Sequence, residues 1–152
     1  MNHPPSSGAL ALIAICRELY AVIDRLDQQA ADQVGVSRND LRALNVLENG
    51  PCRAGVLADT LGLTTGSIST LVDRLEKRGL VVRDRDPQDR RAVLIAPTDR
   101  LFDELGPLYR QVAVHLANVA EEYSDEELDS ALGHLRDVVA AYRSATRESS
   151  GG

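Results

Sequence analysis

Residues 56–80 read VLADTLGLTTGSISTLVDRLEKRGL, and this stretch decides the fold. Two short apolar-periodic segments flank Leu61-Gly62-Leu63, where Gly62 suits a left-handed helix end and Thr64 or Thr65 a helix start. Val56, Leu57, Leu61, Leu63, Ile68 and Leu71 are spaced to lock two helices across that turn, the pattern of a helix-turn-helix. The second helix runs on through about Arg78, with Val72 and Leu75 extending its apolar side and Gly79 stopping it. Its first turns offer Thr65, Gly66, Ser67, Ser69 and Thr70. Side chains this small let a helix approach a nucleic-acid groove closely and bond phosphates or base edges. Arg74, Lys77 and Arg78 lie further along and suit phosphate contacts. Asp73-Arg74 reads equally as an internal brace.

Downstream, Leu80–Arg83 predicts a strand, residues 84–90 a charged turn, and Arg91–Ala96 a second strand, together a two-stranded hairpin. Pro97 ends it, and Thr98 is placed to cap a long helix to about Tyr123. The stripe of that helix is Leu101, Leu105, Leu108, Val112, Leu116 and Val119, with Gly106-Pro107 predicting a kink or irregularity. Ser124 and Glu127 form a capping box for a last helix carrying Leu128, Leu132, Leu135, Val138, Val139 and Tyr142. Upstream, Ser37 with Asp40 predicts the start of a helix that Asn49-Gly50-Pro51 stops. A short helix over about Arg53–Thr60 follows. From about Ala9 to Ala31, the residues Leu12, Ile15, Cys16, Leu19, Val22, Ile23 and Leu26 recur at helical steps.

The predicted class is mainly α with a small β-hairpin wing: a winged helix-turn-helix with N- and C-terminal dimerisation helices. Residues 1–8 read as a flexible arm, 9–36 and 98–146 as the helical dimerisation region, 37–97 as the DNA-binding lobe, and 147–152 as a flexible tail. The outer stripes are longer than so small a domain can cover, which predicts a homodimer.

Composition removes other classes. Hydrophobic residues are 43% and charged residues 26% of 152, as in an ordinary globular domain. No apolar run approaches the ~18 residues that span a bilayer. The run Leu10–Cys16 is ended by Arg17 and Glu18 and follows no basic segment, so it makes a poor signal peptide. A cytoplasmic protein without membrane association is expected. The net charge is −6, but residues 53–100 carry +2 and the remainder −8, so the charge favours nucleic acid locally if not globally. Cys16 and Cys52 make no disulfide framework, and no Cys/His cluster or spacing of His3, His115 and His134 points to a metal. No nucleophile–base pair or phosphate-cradling loop appears, so neither a cofactor nor an enzyme is expected.

The residues 57–64 and 71–81, followed by Asp86-Pro87-Gln88-Asp89-Arg90-Arg91, Val93-Leu94-Ile95 and Thr98, resemble the recognition region and wing of the MarR family of regulators. The likeness extends over about residues 9–146. It implies that the wing's Asp-x-Arg element falls on Asp89 and Arg91, the arginine entering the minor groove and the aspartate holding it. The candidate contacts to double-stranded DNA are therefore Thr64, Thr65, Gly66, Ser67, Ser69, Thr70, Arg74, Lys77, Arg85, Asp89, Arg90 and Arg91. The bland reading of Arg90 and Arg91 is a solvated hairpin tip, and that of Arg53 a solvated charge. Family members often carry a basic residue where Thr70 stands, and Leu-Thr where Pro97-Thr98 stands.

The resemblance further implies a repressor on a pseudo-palindromic operator, relieved by a small aromatic ligand. Cys16 and Tyr20, one helical turn apart, resemble the peroxide-sensing branch of the family, which makes a redox regulator the alternative. Residues 27–49 hold none of the tyrosines that branch uses, and a cysteine on an apolar stripe is as a rule a small core residue. The acidic total charge motivates an alternative of another class, a protein-interaction module that no longer binds DNA.

Overall fold

In a computed structural model of the chain, residues 4–89 and 92–149 are described. There are two compact units, Met1–Leu108 and Tyr109–Gly152. The first holds α1 (Ser7–Val34), α2 (Arg38–Leu47), β1 (Cys52–Arg53), α3 (Ala54–Leu61), α4 (Thr65–Lys77), β2 (Val81–Arg85) and β3 (Val93–Pro97). α5 (Asp99–Glu121) begins in the first unit and ends in the second, which also holds α6 (Asp125–Ser149).

Local chemistry sets most boundaries. Ser37 Oγ accepts from the Asp40 N–H at 3.1 Å and Asp40 Oδ2 accepts from the Ser37 N–H at 3.4 Å, the reciprocal box that starts α2. Thr64 Oγ1 accepts from the Ser67 N–H at 3.3 Å and starts α4. Gly62, at φ 67°, ends α3 in a conformation that a Cβ would strain. Ser124 and Glu127 exchange side-chain and backbone hydrogen bonds ahead of α6, and the Ser124 N–H holds the Glu127 carboxyl below its usual value.

Several boundaries differ from those the sequence predicts. α1 starts at Ser7 with Ser6 as its cap, inside the stretch read as an arm, and α6 continues to Ser149. The predicted hairpin is a three-stranded antiparallel sheet in the order β1-β3-β2, because Cys52 and Arg53 pair with Ile95 and Leu94. Two residues are too few to show a period of two. β2 extends to Arg85 and β3 begins at Val93, with Pro97 paired to Val81 as the terminal residue, where a missing N–H is tolerated. Thr98 stands just before α5, where its carbonyl accepts from the Leu101 N–H at 3.0 Å and its hydroxyl donates to the Gly79 carbonyl at 2.6 Å. α5 continues past Pro107, where the sequence predicts a kink or irregularity.

The core of the first unit is Leu41, Leu44 and Leu47 of α2, Leu57 of α3, Ile68, Leu71 and Leu75 of α4, Leu80, Ile95, Leu101 and Leu105, each at most 2% exposed. Burial of each such side chain contributes roughly 1.5–3 kcal/mol. Val56, predicted to lock the two helices, is 52% exposed instead. α1 buries only Ala30, Ala31 and Val34 near its C-terminus.

Candidate nucleic-acid interface

α4 buries Ile68, Leu71, Val72 and Leu75. At 100° per residue the opposite side carries Gly66, Thr70, Asp73 and Lys77, all exposed. Thr65, Ser67, Ser69 and Arg74 flank that stripe and are exposed too. The predicted reading surface is therefore outward. Its hydroxyls are not equivalent. Thr64 and Ser67 bond each other at 2.9 Å within the cap, and Thr70 donates to the Gly66 carbonyl at 3.2 Å. Thr65 and Ser69 show no such bond to described residues.

The cations divide in the same way. Arg74 Nη2 reaches Asp40 Oδ1 at 2.6 Å, so the buried carboxylate that closes the box on α2 also ties down the recognition helix. The hydrogen bond and charge of Asp40 hold the guanidinium above its ordinary pKa. Arg74 is thus a brace whose side chain is still half exposed. Arg83 Nη2 meets Asp73 Oδ1 at 2.5 Å, its Nη1 pairs with Glu76, and its N–H donates to Glu76 Oε1 at 3.2 Å. This joins α4 to β2. Arg78 Nη2 donates to the Val34 carbonyl at 2.5 Å, over Gly35 at φ 69°; a Cβ there would lie 2.9 Å from that nitrogen. Lys77 and Arg85 form no ion pair with a described residue, and both are exposed. Asn39, Leu63, Ser67, Thr70, Leu71 and Arg74 line a recess of about 320 Å³ where α2 meets α4.

Arg53 is ion-paired, with its side chain half exposed. Its Nε and Nη2 donate to Asp86 Oδ2 at 3.0 and 2.6 Å, and Nη2 lies 3.7 Å from Asp89 Oδ2. Arg90 and Arg91 lie outside the described residues. The sequence reading missed the Arg74–Asp40 and Arg53–Asp86 pairs. The available signal was Arg53 itself, a poor capping type at a helix start.

A MarR family model matches residues 34–92. An HTH-type transcriptional regulator of Bacillus subtilis, YcgE, is 40% identical over 116 residues, 74% of this chain and 75% of that protein. The chain belongs to the MarR family. As a MarR regulator it binds DNA and controls transcription, and it is not an enzyme. A MarR-like regulator of Thermotoga maritima shares the fold, with TM-score 0.64 and 25% identity over 93% of this chain and 99% of that one. Sco3205 of Streptomyces coelicolor, a MarR family regulator solved in complex with DNA, has TM-score 0.59 and 22% identity over 91% of this chain and 90% of its own.

Cys16 of this MarR regulator is partly exposed on α1, and the nearby Tyr20 is 71% exposed. Burial pushes the Cys52 thiol up, toward the unreactive protonated form. Among the described residues no group of three or more His, Cys, Asp or Glu is placed to hold a metal ion. No described helix is long and apolar enough to cross a membrane.

Proposed function

We propose that a homodimer of this chain represses transcription from a pseudo-palindromic operator and is released by a small aromatic ligand. In each copy α4 enters a major groove and the turn between β2 and β3 reaches the adjacent minor groove, with half-sites about one helical turn apart. The lobe 37–97 does the binding; 9–36 and 98–146 hold the copies together. The observation that carries the reading is the outward face of α4, a polar stripe ending in Lys77, with Arg85 on the neighbouring strand, both exposed and neither in an ion pair with a described residue. Lys77 and Arg85 take phosphates, and Thr65 and Ser69 offer hydroxyls to base edges. Thr64, Gly66, Ser67 and Thr70 let the backbone approach. Arg74 presents its free donors beside the recess at Asn39. Arg90 and Arg91 read the minor groove with Asp89 beside them. Ligand release comes from family membership alone.

Binding to a duplex selected by the full chain from random-sequence DNA tests this. Lys77→Ala and Arg85→Ala should each weaken binding and lower the slope of log affinity against log salt by about 0.9, one phosphate contact each. Ser69→Ala should keep the slope and change the selected sequence. Unchanged slopes in both cation variants would remove the interface from this face.

A further inference from the structure

Arg53 occupies the N-cap of α3 and makes no side-chain cap bond there. That position favours Ser, Thr, Asp or Asn. The arginine instead sends its guanidinium to a residue 33 positions away, with two donors on one Asp86 oxygen. Asp86 and Asp40 are the buried charged residues among those described. The other Asp86 oxygen accepts from the Gln88 N–H at 2.8 Å, and the Asp86 N–H donates to the Ala92 carbonyl at 3.1 Å. The Ala92 N–H in turn donates to the Asp89 carbonyl at 2.9 Å. One carboxylate is therefore the node of the described residues 86–89 and 92 between β2 and β3, and Arg53 is its counter-charge. The hydrogen bond from Arg53, then that from Gln88, holds the Asp86 carboxyl below its usual value, so the pair is charged at neutral pH. The backbone of Arg53 is itself fixed by β1, where it pairs with Leu94.

We propose that Arg53 is a positioning residue for DNA binding: through Asp86, with Asp89 nearby, it locks the wing's turn in the shape that meets a groove, without touching DNA itself. The inference rests on the wing reading above. A phosphate-contact role fits the charges poorly. Two of the donors are committed to Asp86 and Asp89 lies 3.7 Å from the same nitrogen, so one cation faces two carboxylates and the cluster offers a phosphate no net attraction.

The test uses the full chain and a duplex it selects from random-sequence DNA. Arg53→Gln should weaken binding about tenfold and leave the salt slope unchanged, whereas loss of a direct phosphate contact would lower it by about 0.9. Asp86→Asn should weaken binding similarly, and the double variant should be no weaker than the worse single, because both remove one interaction. Arg53→Lys should recover most of the loss. In the free protein, Gln88 and Ala92 amides should exchange faster in Arg53→Gln while α4 amides do not. If Arg53→Gln fails to fold, Asp86→Asn and Arg53→Lys carry the same comparison. Affinity within roughly twofold of wild type in Arg53→Gln and Asp86→Asn overturns the proposal. So does a slope lowered by about 0.9 in Arg53→Gln with Asp86→Asn unaffected, which makes Arg53 a phosphate ligand. Unchanged affinity in both Arg90→Ala and Arg91→Ala sinks the wing reading and this inference with it. Weakened binding there, with Arg53→Gln unchanged, sinks this inference alone.

Discussion

Asp73 is the acid on the outward stripe of α4, and Arg83 decides what its charge does. An exposed carboxylate in the middle of a groove-facing stripe would repel phosphates. Arg83, on β2, lies 2.5 Å from it and also pairs with Glu76. Three charges thus leave one net negative charge close to the stripe. Asp73→Asn should therefore tighten DNA binding, and Arg83→Gln should weaken it, both effects larger at about 0.05 M than at about 0.3 M salt, where screening shortens their reach. Titrations of one labelled duplex at the two salt concentrations check this. Weaker binding in Asp73→Asn would instead make Asp73 a mechanical link between helix and wing, with its charge a tolerated by-product.

At the scale of elements, α5 carries a proline within its length. Pro107 sits inside Asp99–Glu121, one residue before the boundary of the first unit at Leu108. Proline has no N–H to give to the carbonyl four residues earlier, here that of Asp103. Pro107→Ala should restore that bond and stabilise the full chain by up to roughly 3 kcal/mol in urea unfolding. A lower or unchanged midpoint would mean that the proline holds a local shape the alanine loses. The sequence marks Gly106-Pro107 as a kink or irregularity from local propensity alone, and what lies across space from it is beyond such a reading. The same limit runs through the molecule. The cap at Thr64, the box at Ser37 and Asp40, the turn at Gly62 and the box at Ser124 were legible because their partners lie within four residues. Arg53–Asp86 and Arg74–Asp40 span 33 and 34 residues, and Thr98–Gly79 spans 19, so no window of sequence shows them. Of the candidate interface, the outward polar residues of α4 were legible from helical period alone. Which of its cations are free and which are braces was not.

Over the whole chain, the outer helices pose the largest unsolved burial. α1 has 28 residues, about 42 Å of helix. Leu10, Leu12, Ile13, Ile15, Leu19, Val22 and Ile23 along it are each 44–61% exposed. In the second unit Val114, Leu116, Val119, Leu132, Leu135 and Val139 are exposed to a similar degree. Soluble monomers rarely leave so many large apolar side chains exposed, and the proposed second copy would cover them. Sedimentation of the wild type should give twice the chain mass of 16.5 kDa. Leu19→Glu places a charge in the middle of the α1 face and should shift the mass toward one chain. Leu19 is 52% exposed, so that substitution leaves the core of the first unit intact. The functional consequence follows from geometry. A dimer places two copies of α4 and two wings on one duplex, so the monomer should keep about half the phosphate contacts and about half the salt slope, with affinity falling by orders of magnitude. A wild-type chain that sediments as a monomer and still binds with the full slope would break the link between the outer helices and the operator. Equal slopes for wild type and a monomeric Leu19→Glu would place all the contacts in a single copy.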